Sequence, residues 1–472
     1  KEDGAEYIYS LFVPSDASTA FPVFDQPDLK ARFEVSIKAP NEWETVSNTE
    51  MRPLRIGGGS HTPDWGKNQT TFFLETKPIS TYVFAFAAGP FERVEDMGRN
   101  LSGSEGVQRD TASNSNALPT IRISAAEGEP PALAGGQNAA ANSTPDAVTQ
   151  PGVYAALKPP AYAGGSALYV RKSQAAKFKP HAAEVFRLNR EGIKFLESYF
   201  DYKFPFPKYD LVLIPEFPFG GMEHAGATFL RESSIIFPQA PTKNDYISRA
   251  TLIFHEAAHQ WFGDTVTMRW LDDLWLKEGF ATFMAYKTLE KVMPDYNAWK
   301  VFYERVKQGA YQTDSTKGTT PIYQEINNLS AAKSAYGAIV YNKAPAFLRQ
   351  AEFYLGEEKF QTAVRAFLKK HEYANAGWED LVMEFEDASK QDLSDWAKQW
   401  VTQPGLPTIR TQLVWGGNGC FTYSIKQSGP GFWRQRFRVH EQFASGTRYQ
   451  GDVLITSVEA AITACDLDRY PP

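Results

Sequence analysis

Over residues 1–95, apolar and polar positions alternate in short runs such as "ARFEVSIKAP" (31–40), "TTFFLETKP" (70–78) and "TYVFAFAAGPF" (81–91). A period of two, interrupted by Pro, Gly and Asn, predicts half-buried strands. Between about 101 and 165 the pattern disappears. "SGSEGVQRDTASNSNALP" and "EGEPPALAGGQNAAANSTPDAVTQPG" offer little to bury and read as a flexible insertion. In "HAAEVFRLNREGIKFLESYF" (181–200), Val185, Leu188, Gly192, Phe195 and Tyr199 recur every three or four residues and predict one face of a helix. "YDLVLIPEF" (209–217) predicts a buried strand. A helix is expected over 245–262, ending at Gly263, and a second one from near Asp272 through "DLWLKEGFATFMAYKTLEKV", with Asp272 as its cap. More helix fills 297–403, and "TIRTQLVW", "CFTYSIKQ", "RQRFRVHEQF" and "DVLITSVEAA" return to alternation. The expected architecture is α+β and multidomain. It has an N-terminal β-sheet domain (1–95), the insertion (101–165), a mixed α/β domain (166–404) and a small C-terminal β-sandwich (405–472).

Composition narrows the function classes. The chain has 472 residues, room for two to four domains at roughly 100–200 residues each. A formal charge of −6 gives no basic footprint, so nucleic acid is not an expected partner. No apolar run approaches the ~18 residues of a membrane span. The start, "KEDGAEYIYS", lacks the pattern of a secretory signal, and compartment and oligomeric state stay undecided. Cys420 and Cys465 both fall in the last β-rich segment. Two buried thiols are favoured over a cross-strand pair.

The chemistry concentrates in "FHEAAHQWFGD" (254–264). His255 and His259 are spaced i,i+4, so on a helix they stand one above the other and can share one ion. Glu256 lies beside them, within reach of a water on that ion. Glu278 follows in "WLKEGFATF", with 18 residues (260–277) between it and His259, enough for a helix end, a turn and a neighbouring helix. Two imidazoles and one carboxylate make a three-ligand zinc site with a fourth position open, the arrangement of catalytic rather than structural zinc. Asp272 or Asp273 could orient a ligand, although capping explains them equally well.

His255-Glu256-x-x-His259 followed by Glu278 resembles the M1 family of zinc aminopeptidases. "FPVFDQPDLKARF" (21–33), "VTMRWLDDLWLKEGFATF" (266–283) and "WVTQPGLP" (400–407) are similar to other family segments. The resemblance implies a thermolysin-like catalytic domain behind a β domain, one Zn2+ per chain and peptide substrates with a free N-terminus. Family members usually carry a longer N-terminal β domain and often a C-terminal helical domain, so the chain reads as a fragment.

Exopeptidase selectivity needs a receptor for the substrate α-ammonium, and "GGMEH" (220–224) supplies candidates. Gly220 and Gly221 let a substrate backbone approach closely, and Glu223 offers a carboxylate. The segment resembles the family's G-A/G-M-E-N signature, which implies Glu223 as amine anchor and Met222 as wall of the first side-chain pocket. His224 departs from the usual Asn and bears on the shape of the loop. Tyr341 in "YNKAPAF" resembles the family's oxyanion-binding Tyr, with Tyr336 as the alternative and Ala344-Pro345 in place of the usual Gly-Ala. Leu11 and Val13 stand where the family commonly has Gln and Glu that help hold the amine. Weaker amine binding or an altered first-residue preference is therefore expected. The expected activity is removal of N-terminal residues, with zinc polarising the carbonyl and Glu256 as general base. An endopeptidase or epoxide hydrolase on the same scaffold, or a non-catalytic relative, are the alternatives.

Overall fold

The computed structural model describes residues 3–52, 68–96, 120–125, 167–416, 420–442 and 448–465. Two three-stranded sheets form the N-terminal part. In one, β1 (Ile8–Tyr9), β5 (Phe86–Gly89) and β3 (Glu44–Ser47) run in that order; in the other, β4 (Asn68–Phe72), β2 (Phe33–Pro40) and β7 (Thr120–Ala125). Alternation in β2 buries Phe33, Val35, Ile37 and Ala39 on one face, where Phe33 stacks on Phe84 at 4.6 Å. The strand β7 lies inside the stretch expected to be a flexible insertion. Thr120–Ala125 pairs antiparallel with β2 over six residue pairs, from Phe33↔Ala125 to Lys38↔Thr120, so this part of 101–165 is strand. The remainder of that stretch lies outside the described residues.

A five-stranded sheet follows in the order β10 (Gly221–Met222), β11 (Ala227–Arg231), β9 (Asp210–Ile214), β8 (Ala167–Arg171) and β6 (Phe91–Glu95). The inner strands β8, β9 and β11 are parallel and buried, in keeping with the continuous apolar run of "DLVLI". At one edge sits the two-residue β10. At the other is β6, drawn from the first 95 residues, so the expected N-terminal and mixed units share this sheet.

Four helices matter for the site: α1 (Ala175–Phe200), α2 (Lys243–His259), α3 (Leu274–Val292) and α4 (Ala344–Leu355). The second begins two residues earlier than expected. There Thr242 and Asp245 form a reciprocal capping box, Asp245 N–H donating to Thr242 Oγ1 at 3.3 Å and Thr242 N–H to Asp245 Oδ2 at 2.7 Å. The helix ends at His259, and the chain turns through Gly263 at φ +130°. The expected Asp272 cap of α3 does not form. A 3₁₀ turn, Leu271–Asp273, leads into α3 and aims both carboxylates away from the helix start. Asp272 accepts from Ile326 N–H and Tyr323 Oη–H, while Asp273 accepts from Trp275 Nε1–H and Trp378 N–H. Neither orients a histidine or Glu278. Short parallel strands β12 (Thr267–Met268) and β13 (Asn375–Ala376) tie down the connection between α2 and α3.

The C-terminal strands are β14 (Thr408–Trp415), β15 (Cys420–Ser428), β16 (Gln435–Gln442), β17 (Arg448–Ile455) and β18 (Glu459–Cys465). They make a three-stranded sheet, β14-β15-β18, and a pair, β16-β17, around Ile425, Val439, Val453 and Ile455. The backbone register sets Cys420 opposite Cys465.

Close packing of α1 on α2 passes through Gly192, where an added Cβ would lie 2.7 Å from Phe254 Cδ1. Alanine would gain about 1 kcal/mol in helix propensity. Overpacking against a buried ring costs about 1–3 kcal/mol. Gly192→Ala should therefore lower stability by about 1 kcal/mol in thermal or urea unfolding. A stabilised variant would show that α1 and α2 can separate freely.

Candidate active site

His255 and His259 project one turn apart from α2, their rings perpendicular, and meet Glu278 from α3. His255 Nε2 lies 3.1 Å from His259 Nε2, and each lies 3.3 Å from Glu278 Oε2. Tetrahedral zinc ligands at about 2.0–2.1 Å from the ion are spaced roughly 3.3 Å from one another, so this triangle has the size for one ion. The donor set fits as well. His259 Nδ1 is 3.0 Å from the Phe262 carbonyl, which only accepts, so Nδ1 carries the proton and Nε2 presents a lone pair. A lone pair turned toward a carboxylate and a second imidazole is repulsive without a cation between them. His255 Nδ1 pairs with Thr282 Oγ1 at 3.3 Å, one turn along α3 from Glu278.

Glu256 is buried beside this triangle. Its carboxylate, that of Glu223 and the His259 ring place donor atoms within 4.8 Å of one another. Burial, then the charges of Glu223 and Glu278, push the Glu256 carboxyl well above the ordinary range. Its Oε2 has no hydrogen-bond partner. The carboxylate rests against Gly221, where an added Cβ would collide with it. Gly221 thus has a steric reason to be glycine, and it lies on β10, the edge strand, with one side free of a partner strand. Glu223 follows immediately. Gln260, just past α2, holds this corner: its Nε2–H donates to the Glu223 carbonyl at 3.0 Å and its Oε1 accepts from Gly226 N–H at 2.9 Å. Gly226 has φ +70°, and a side chain there would strike the Asn48 carbonyl. His224 is fully buried against Phe229 at 4.4 Å. Burial depresses it to about 3, which keeps it neutral. It packs into the core behind the loop.

Of the residues singled out from sequence, His255, Glu256, His259, Glu278, the 220–223 segment, Tyr336 and Tyr341 line one cavity of about 870 Å³, whereas His224, Asp272 and Asp273 do not. Leu11 and Val13 contribute an apolar wall to it, with no polar group at either position. Tyr341 and Tyr336 both line it. The Tyr341 ring centroid is 6.2 Å from that of His255, and burial raises its phenol well above the usual value, so the hydroxyl is a donor at neutral pH. Tyr341 rides on a π-helical turn, Ile339–Lys343, that passes into α4 at Ala344-Pro345. Proline has no N–H to return to the preceding turn, which accounts for the wider turn at this junction. Lys343, in the same turn, forms a buried ion pair with Asp314 at 2.8 Å and donates to the Gly405 carbonyl at 3.1 Å.

Sequence reasoning passed over three contributors: Gln260, Thr282 and Lys277. The first two carry no signal beyond their distance from the histidines. Lys277 did carry one, a charged residue in the apolar run "WLKEGFATF". It is buried and forms an ion pair with Glu223 and, at 3.2 Å, with Glu278 Oε1.

Two family models match the chain: the Peptidase M1 N-terminal domain over residues 1–83 and the Peptidase family M1 domain over residues 185–400. Aminopeptidase N of Streptomyces lividans is 31% identical over 432 residues, covering 91% of this chain and 42% of that protein. Leucyl aminopeptidase of Saccharolobus solfataricus is 29% identical over 406 residues (86% and 42%), and aminopeptidase M1-C of Oryza sativa subsp. japonica 30% over 403 residues (85% and 37%). The chain spans about two-fifths of the length of these relatives. Among the described residues, no helix is long and apolar enough to cross a membrane.

Removing the partner of His255 should loosen ion binding while leaving all three donor residues in place. Thr282→Val is expected to weaken zinc affinity about tenfold, measured by competition with a chelator. Unchanged affinity would remove Thr282 from the site.

Proposed function

Starting from the fact that the chain belongs to peptidase family M1, we propose that it is the catalytic part of a zinc-dependent aminopeptidase that trims peptides from the N-terminus. The observation that carries this reading is the placement of Glu223 at the end of an edge strand that runs beside Glu256 and the His255–His259–Glu278 triangle. In this reading residues 166–404 form a thermolysin-like catalytic domain, 1–95 contribute the N-terminal β domain and 405–472 a small β-sandwich.

His255, His259 and Glu278 would hold one Zn2+. When bound, zinc supplies a Lewis acid for the scissile carbonyl and brings the pKa of a water to about 7. A peptide adds to β10 as an extended strand, through main-chain hydrogen bonds to Gly221 and Met222. The Glu223 carboxylate receives the substrate α-ammonium and so stops the chain one residue past the site of attack. Glu256 takes a proton from the attacking water and passes it to the leaving amine. The Tyr341 hydroxyl donates to the carbonyl oxygen as negative charge develops there. Met222 walls the space for the first side chain.

Glu256→Gln is expected to keep one zinc per chain and lose roughly 10²–10⁴-fold in kcat with an aminoacyl anilide. Metal analysis and steady-state kinetics check it together, and a variant with wild-type turnover would end the assignment. The N-acetylated anilide, which adds a bulky group where the amine would sit, should be a poorer substrate for the wild type. Equal rates would favour an endopeptidase.

A further inference from the structure

The carboxylate assigned to the substrate amine already has a cation. Lys277 reaches it from α3, ion-paired with Glu223 Oε1 and 3.2 Å from Glu278 Oε1. The lysine is about 1% exposed, its stem lies against Gly263, and its ammonium sits 4.7 Å from the centre of the Tyr82 ring. Packing therefore confines it to this corner. Leu11 and Val13, which also line the cavity, carry no carboxylate or side-chain amide. An ammonium arriving at Glu223 meets a carboxylate that is already paired and a like charge next to it.

We propose that Lys277 is a specificity-determining residue that competes with the substrate α-ammonium for Glu223 and so lowers the premium this enzyme places on a free N-terminus. The inference rests on the reading of Glu223 as amine anchor. It goes further by naming an internal competitor and a consequence: acyl substrates that lack the amine are turned over with only a modest disadvantage. A charge-assisted hydrogen bond in a buried site is worth about tenfold to a hundredfold in affinity, and that is the range Lys277 withholds.

The test compares an aminoacyl anilide with its deamino analogue, which keeps the acyl chain and replaces the ammonium by hydrogen, so electrostatics are separated from bulk. The ratio of kcat/KM for the two is measured in the wild type, Lys277→Met, Lys277→Gln and Lys277→Met/Glu223→Gln. Zinc content and circular dichroism are followed in each. The ratio is expected to rise about tenfold or more in both single variants, mainly through a lower KM for the amine substrate. It should return to the wild-type value or below in the double variant. Folded, zinc-loaded single variants with an unchanged or smaller ratio would overturn the proposal and leave Lys277 as a support for Glu223. If the ratio rises in Lys277→Met and stays high in the double variant, the anchor reading of Glu223 fails instead. Should both single variants misfold, binding of an amino-acid hydroxamate and its deamino analogue to the wild type decides. A difference below about tenfold supports the proposal and one above a hundredfold overturns it.

Discussion

Three donor atoms from two helices lie within 3.3 Å of one another because α2 and α3 cannot move apart or slide. Phe262, just after α2, stacks on Phe280 of α3 at 4.1 Å with planes 2° apart. Gly192 admits Phe254 from the α1 side, and Gly279 admits Ala344 from the α4 side, where an added Cβ would lie 2.8 Å from Ala344 Cβ. The metal triangle is thus held by apolar packing around it, through residues that carry no charge. A close-packed interior resists displacement in every direction. A ligand set must keep its distances to within about 0.2 Å, and such packing is what provides that tolerance.

Around this frame the site gathers buried charges along the cavity wall. Glu223, Glu256, Glu278 and Lys277 are all buried, and each is costly to desolvate alone. Glu278 lies well below the ordinary carboxylate range despite its burial, because Lys277 and His259 face it. Glu256, without such a partner, goes the other way. Two carboxyl groups of one type are thereby driven apart in proton affinity, in line with the different roles proposed for Glu278 and Glu256. Lys277 belongs to the same balance and pulls it toward neutrality at the end where the substrate amine would enter. Leu11 and Val13 act in the same direction, since neither side chain offers the amine an acceptor.

Much of this was legible because the relevant residues are close in sequence and their periodicity is strict. The i,i+4 histidines and Glu278 suggest a metal site through residue type and spacing, whereas the part expected of Glu223 also needs the resemblance of "GGMEH" to a family signature. Helix limits came within a few residues, with the start of α2 displaced by a capping box at Thr242. The strand Thr120–Ala125 was missed because its neighbours are poor in apolar residues, and its pairing with Phe33–Pro40 is remote in sequence. The Asp272 cap was misplaced because a 3₁₀ turn precedes the helix, and a cap depends on backbone angles that composition does not report.

What the sequence determined by itself is the set of candidates: His255, His259 and Glu278 as proposed ligands, Glu256 as proposed base and Glu223 as proposed amine anchor. For His255, Glu256 and His259 the spacing along one helix is enough, because local geometry converts it into position. The tertiary structure alone decided how these groups are paired with one another. Lys277 sits one residue from Glu278 and 54 positions from Glu223, yet the fold makes Glu223 its ion-pair partner. Gln260 binding the 223–226 loop and Thr282 binding His255 are of the same kind. Pair interactions in a dry interior depend on distances of a few ångströms between remote segments, and only folding sets those distances.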